Sequence, residues 1–259
     1  MPRDGSRWLR NLVLVALAAV LVVGGAVAWK TVLDGHLPSF GMAHAITPAG
    51  DRTRRLWQVL FSAAVGVGAL VWSLIAWSVL RYRRRSDDDP IPSQVAYNVP
   101  VEVVYTVLPI LAVVAIFVGT VLVQRQNERL SSHPDVTVQV TGFQWQWRFA
   151  YQHEGVTVTG TSAAESIPEL VLPVDETTRL QLVSADVAHS FWVPAFLTKR
   201  DLIPGVDNQI DVHPTEIGRY PGRCAEFCGL DHARMDFSVR VVSKADYLRW
   251  VAGARAGRA

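Results

Sequence analysis

The sequence predicts an α+β membrane protein: a transmembrane helical hairpin followed by an all-β sandwich. Three observations carry that reading. Residues 56–80 and 103–124 hold no charged side chain. From Val136 onward the pattern changes to short alternating runs broken by proline and glycine. The charge divides at the same place, with 13 Lys/Arg against 8 Asp/Glu in residues 1–130 and 12 against 15 in residues 131–259.

Composition narrows the class further. The chain has 259 residues, 50% of them hydrophobic and 19% charged, where a soluble domain is nearer a quarter charged. Such a chain has ample apolar surface to bury, which argues against disorder. A net charge of +2 argues against a dedicated nucleic-acid binder. Two cysteines, Cys224 and Cys228, cannot build a disulfide-dense scaffold and point to one local site.

Arg3, Arg7 and Arg10 lead into an uncharged stretch, residues 11–29, that ends in Ala26-Val27-Ala28. These are the parts of a secretory signal peptide cleaved after Ala28. The same residues also suit a retained helix, so residues 1–28 are a signal peptide or an extra transmembrane helix. Residues 29–55 follow as an extracytoplasmic segment. Residues 56–130 form the hairpin with its cytoplasmic loop, since a span needs about 20 apolar residues. Arg81, Arg83, Arg84 and Arg85 crowd the link between the two stretches and place it in the cytoplasm. The C-terminal half then lies on the periplasmic or extracellular side of the plasma membrane. Arg52, Arg54 and Arg55 fall on the outer side, against the positive-inside rule. Pro109 is expected to kink the second helix or mark its packing against a neighbour. Glu102, at its cytoplasmic edge, reads equally as a solvated helix end or as the mouth of a proton path.

Residues 131–259 form the outer domain. Alternating runs at 136–140, 143–149, 156–159, 169–174, 179–184, 209–212 and 237–242 predict strands. Pro168, Pro173, Pro194, Pro204-Gly205, Pro214 and Pro221-Gly222 mark the turns, and the whole suggests an antiparallel sandwich or barrel. Ser243 with Asp246 caps a final helix over 244–253.

Candidate ligands gather in one loop, Cys224-Ala225-Glu226-Phe227-Cys228-Gly229-Leu230-Asp231-His232-Ala233-Arg234-Met235. His189 lies upstream, just before Ser190-Phe191-Trp192. Thiolate, thioether and imidazole together select copper or zinc over magnesium or calcium. Zinc rarely takes methionine, whereas copper electron-transfer sites do. A mononuclear site needs one cysteine and this loop has two. Two thiolates can bridge two coppers, each with one histidine, Met235 being a weak ligand to one and a backbone carbonyl to the other. Taken alone, a C-x3-C pair outside the cell reads as readily as a disulfide. His189, His232 and Met235 turn the balance to metal. His36, His44, His133, His153 and His213 have no such company.

These residues carry a family resemblance. The chain resembles subunit II of cytochrome c oxidase, the haem–copper terminal oxidase, from about Leu56 to the end, and within that family the actinobacterial type. The resemblance implies a cupredoxin-like sandwich carrying the dinuclear copper centre CuA. Side-chain ligands would be His189, Cys224, Cys228, His232 and Met235, with Glu226 giving its backbone carbonyl. The Glu226 carboxylate would face a magnesium or manganese ion shared with subunit I. Gly142-Phe143-Gln144-Trp145-Gln146-Trp147 is similar to the family's aromatic strip, in which Trp145 stands where electrons arrive from the cytochrome. Gln146 departs from the tyrosine of many members. Glu102 to Pro109 resembles a segment whose glutamate stands at the entrance of a proton path into subunit I. Asp186, Asp231 and Asp236 fit a weak acidic docking patch, although Ala185, Arg223 and Arg234 depart from it. The implied partners are oxidase subunits I and III, a c-type cytochrome and the lipid bilayer, with no nucleic acid.

The implied function is electron input to a respiratory oxidase that reduces dioxygen and pumps protons. The chain lacks clustered intramembrane histidines for an oxygen-reducing site, so it is part of an enzyme. A copper-free quinol oxidase subunit II would lack these ligands. The alternative from another class is a membrane-anchored copper carrier. A carrier would favour exposed Met/His-rich stretches, and this chain has three methionines. A disulfide-stapled exported sandwich is the third reading.

Overall fold

A computed structural model describes residues 39–83, 94, 96–160 and 167–257. The leader at residues 1–28, the first part of segment 29–55 (residues 29–38) and the loop arginines Arg84 and Arg85 lie outside the described residues.

Among the described residues, two helices are long and apolar enough to cross a membrane: α1 (Pro48–Arg81) and α2 (Val99–Asn127). At 1.5 Å per residue, α1 is a rod of about 50 Å, longer than the roughly 30 Å hydrocarbon core it would have to cross. Thr47 caps α1, its Oγ1 accepting from the Gly50 N–H at 3.0 Å, and Pro48 occupies the first helical position, where its missing N–H costs nothing. Asn98 opens α2: its Oδ1 accepts from Val101 N at 3.4 Å, while its own N–H donates to Glu102 Oε1 at 2.8 Å. Glu102 therefore has a local capping partner. The start of α1 and the end of α2 are tied together. Arg52 Nε donates to Asn127 Oδ1 (2.8 Å), and Asn127 Nδ2 donates to Thr53 Oγ1 (3.0 Å) and Ala49 O (3.3 Å). The two helices thus form a hairpin.

The remainder is a sandwich of two five-stranded sheets. The strands are β1 (Val136–Phe143), β2 (Gln146–Tyr151), β3 (Val156–Thr159), β4 (Glu169–Pro173), β5 (Thr178–Ser184), β6 (His189–Val193), β7 (Thr198–Leu202), β8 (Asn208–Val212), β9 (Gly218–Cys224) and β10 (Asp236–Val242). One sheet runs β3-β2-β1-β5-β8 and the other β4-β10-β9-β6-β7. The alternation read in the sequence is the burial pattern: β5 buries Thr178, Leu180, Leu182 and Ser184 and leaves Arg179, Gln181 and Val183 half-buried. Trp147, Phe149, Phe191 and Phe237 fill the core, with the Phe237 ring 5.1 Å from Trp147 and 4.8 Å from Phe191. The buried Trp147 indole satisfies its donor on the Met235 carbonyl at 3.2 Å. Helix α3 (Lys244–Arg255) is capped as expected, Ser243 Oγ accepting from Asp246 N at 3.1 Å, and buries Tyr247 and Val251. Residues 45–47 dock on the sandwich: Ile46 is buried, donates to Ala195 O (3.0 Å) and accepts from Thr215 N (2.9 Å).

Three details differ from the sequence reading. The run 143–149 is two strands, because Gln144 and Trp145 form a two-residue turn with Phe143 opposite Gln146. The sheets are mixed, since β1 pairs with β5 and β10 with β4 in parallel. Pro221-Gly222 is no turn but lies inside β9. β6 pairs with β9 only at Arg223 and Cys224, so Pro221 sits where the strand has a free flank and no donor is demanded. Gly222 is required by packing, as a Cβ there would come within 2.2 Å of the Phe237 ring.

Candidate metal centre

Backbone pairing assembles the site. His189 opens β6, Cys224 closes β9, and Met235 stands one residue before β10. The loop between Cys224 and Met235 is clamped at its base by Cys224 N–H to Met235 O (3.0 Å), and Ala225 N–H to Ser190 O (3.0 Å) fastens it to β6. His232 begins a short 3-10 turn, His232–Arg234, that brings its ring back over the loop.

The donor atoms converge. Cys224 Sγ and Cys228 Sγ are 3.8 Å apart and both cysteines are free. His189 Nδ1 lies 3.9 Å from Cys224 Sγ and His232 Nδ1 3.6 Å from Cys228 Sγ. Met235 Sδ is 3.7 Å from Cys228 Sγ, and the Glu226 carbonyl oxygen 3.2 Å from Cys224 Sγ. His189, Cys224 and Cys228 form the metal-competent group among the described residues, their ligand atoms all within 4.8 Å of one another. Free, buried sulfur paired with imidazole nitrogen fits a soft metal and not a hard one. The Glu226 side chain points outward and is exposed. Elsewhere His44 pairs with Glu216 and His213 with Thr177.

A second layer fixes the histidine. Asp186, which the sequence offered for a docking patch, stays exposed but aims its carboxylate at His189. Its carboxylate accepts from His189 Nε2 (2.8 Å), Gln144 N (2.7 Å) and Val187 N (2.6 Å). Burial opposes its ionisation, but these hydrogen bonds outweigh burial and hold the carboxyl below its usual range. An Nε2–H donated to a carboxylate leaves the Nδ1 lone pair facing the sulfurs, as a ligand requires. Gly142 makes room for the ring: a Cβ there would lie 3.1 Å from His189 Cγ and Cδ2. Gly142→Ala is expected to push the imidazole off its position and weaken copper retention about tenfold or more, measured by chelator competition, with the far-ultraviolet circular dichroism unchanged.

Trp145 stands at the tip of the β1–β2 turn. Its Nε1–H donates to the Cys228 carbonyl at 3.0 Å, and Gln144 Nε2 donates to the same oxygen at 2.8 Å. Gly229, at φ +116°, lies against both; a Cβ would meet Gln144 Nε2 at 3.1 Å and Trp145 at 3.2 Å. The supporting residues Gln144, Asp186 and Gly142 were not expected as such. Their signal was proximity in sequence to Trp145 and His189, which does not show a side chain's direction. Around the centre the loop exposes Phe227 (78%) and Leu230 (88%).

The two thiols differ in the metal-free chain. Burial raises both. For Cys224, hydrogen bonding from His189, whose ring is favoured in its doubly protonated form while no metal takes Nδ1, and from the backbone of Glu226 and Ser190 overrides burial and lowers the value to about 7. For Cys228, burial and the neighbouring Cys224 push it up to about 12. At neutral pH Cys228 therefore keeps its proton and Cys224 is only partly ionised, so metal bound by both thiolates must displace at least one proton. Copper affinity is expected to fall about tenfold per pH unit of acidification for each proton displaced. Titrations at pH 6, 7 and 8 with proton release measured in weak buffer check this.

The fold is a two-sheet sandwich preceded by two apolar helices, and its donor set is of the kind that fits a soft metal. Residues 136–242 match the model of the family described as cytochrome C oxidase subunit II, periplasmic domain. The "Probable cytochrome c oxidase subunit 2" of Streptomyces avermitilis is 37% identical, the alignment covering 95% of this chain and 87% of that one. "Cytochrome c oxidase subunit 2" of Mycobacterium tuberculosis is 34% identical, covering 95% and 83%. The solved periplasmic domain of subunit II of cytochrome oxidase (CoxB) of Bradyrhizobium japonicum is 34% identical, covering 50% of this chain and 100% of that one, with a TM-score of 0.47. The chain belongs to the cytochrome c oxidase subunit II family, a component of the haem–copper oxidase enzyme complex.

Proposed function

We propose that the chain is the electron-accepting subunit of a plasma-membrane cytochrome c oxidase and that its five-residue cluster holds the dinuclear copper centre CuA. The convergence of two free buried thiols with His189, His232 and Met235 carries this reading. His189, Cys224, Cys228, His232 and Met235 would hold the copper pair, which would supply a one-electron couple. The chain's own residues do the rest. Asp186 fixes the His189 tautomer, and the buried walls around Cys224, Cys228 and Met235 keep water from the sulfurs. Trp145, half-buried and bonded to the Cys228 carbonyl, offers an aromatic contact between the surface and the sulfur cluster. The exposed Phe227 and Leu230 provide an apolar surface for a c-type cytochrome. Electrons would pass on to haem in subunit I for dioxygen reduction coupled to proton pumping. The exposed Glu226 carboxylate suits a magnesium or manganese ion shared with that subunit. Glu102 is proposed at the entrance of a proton path, beside its capping role. Subunits I and III would surround the helices α1 and α2, with residues 131–259 on the outer side of the membrane.

Rapid mixing of the copper-loaded chain with a reduced c-type cytochrome tests this. Cytochrome oxidation should coincide with bleaching of the copper–thiolate absorption. Trp145→Phe should slow the transfer by about tenfold or more, since it removes the bond to Cys228 and an aromatic edge at the contact. Copper bleaching without cytochrome oxidation, or no bleaching at all, would contradict the reading.

A further inference from the structure

We propose that a cleft beside the outer ends of α1 and α2 binds the phosphate of an anionic phospholipid headgroup. The cleft has a volume of about 470 Å³ and is lined by, among others, Arg52, Arg129, Asn127, Ser131, Thr198 and Leu130. Its lining carboxylate, Asp211, is already neutralised: Arg179 holds it at 2.8 and 2.9 Å, and the Ser131 N–H donates to it at 2.6 Å. Arg52 and Arg129 have no carboxylate within ion-pair distance among the described residues, so the cleft is left cationic. Arg52 is half-buried and held by its bond from Nε to Asn127, which fixes one edge of the guanidinium. A planar, always-charged fork held in this way suits phosphate oxygens.

The level of the cleft selects a lipid over a free ion. Arg52 lies one helical turn before the uncharged run that starts at Leu56, about 6 Å along the axis. Asn127 lies three residues after the other uncharged run ends at Gln124. Both ends therefore fall in the interfacial layer, where headgroup phosphates lie. The exposed Leu122 and Leu130 continue from the cleft as apolar surface for acyl chains. The site also explains why arginines gather on the outer side against the positive-inside rule. Arg54 is taken up by Asp51 at 3.0 Å, whereas Arg52 lacks a counter-charge that an outer-leaflet lipid would provide. The proposal rests on the membrane placement above. If that placement fails, the chain will stay soluble without detergent, a readout separate from phosphate binding.

The test is calorimetric titration of the full chain in neutral detergent with dihexanoyl phosphatidylglycerol, dihexanoyl phosphatidylcholine and inorganic phosphate. One saturable phosphatidylglycerol site is expected, with the other two ligands at least tenfold weaker. Arg52→Gln with Arg129→Gln should weaken phosphatidylglycerol at least tenfold while leaving the copper–thiolate absorption unchanged. Arg129→Gln alone, at an exposed position, should give a smaller loss in the same direction and keeps the test valid if the double variant misfolds. Unchanged phosphatidylglycerol affinity in these variants would overturn the proposal. So would inorganic phosphate or phosphatidylcholine binding as tightly as phosphatidylglycerol.

Discussion

Cys228→Ser is expected to abolish the proposed two-copper centre and leave the sandwich folded. A serine hydroxyl does not ionise at neutral pH, so it cannot replace a bridging thiolate. Cys228 is the hub of the cluster, within 3.8 Å of Cys224 Sγ, His232 Nδ1 and Met235 Sδ alike. Copper content should fall below two per chain, and the thiolate-to-copper absorption of the pair should vanish. The cost to folding should be small, roughly 1–3 kcal/mol for one buried hydroxyl without its best partner. The core aromatics Trp147, Phe191 and Phe237 do not depend on that sulfur for their mutual packing. Cys224→Ser should act alike. Metal analysis with a thermal melt by circular dichroism reads both effects. Retention of two coppers in either variant would show that the thiolates do not bridge.

Asp186→Ala is the second large effect. It leaves the Nε2–H of the fully buried His189 without its acceptor and releases the Gln144 amide from the same carboxylate. The imidazole is then free to place its proton on Nδ1, the nitrogen that faces Cys224. Outer partners of this kind are worth 10- to 100-fold in metal affinity, and a loss in that range is expected by chelator competition. Asp186→Asn keeps an acceptor at the same place and should lose less. This pair also separates positioning from docking. If Asp186 served chiefly to steer a basic cytochrome, both variants would change the salt dependence of electron transfer and neither would change copper retention.

The sequence made the architecture legible where one physical signal dominated. Uncharged runs at 56–80 and 103–124 become the interiors of α1 and α2, because spanning lipid demands unbroken apolar length. Alternation exposed β1, β5 and β10. It did not expose β6, β7 or β9. His189–Val193 is buried at four of its five positions, so it has no polar phase to read. Thr198–Leu202 carries Lys199, Arg200 and Asp201 at a sheet edge, and Gly218–Cys224 includes the Pro-Gly pair that resembles a turn. Residues 45–47 were invisible as part of the sandwich, since their tie is backbone pairing to distant residues. At the site, the gathering of donor types was legible because two cysteines, a histidine and a methionine stand within twelve residues, a set that a disulfide alone does not use. The layer behind them was not. That Asp186 faces His189, and that Trp145 donates to Cys228, depends on how the β1–β2 turn and the β5–β6 link meet in space.

The most direct measurement of the central claim is metal analysis combined with electron paramagnetic resonance on the purified full-length chain. A dinuclear centre requires two copper ions per chain and one unpaired electron shared equally between them. One copper, zinc in place of copper, or an electron confined to a single copper nucleus would contradict it.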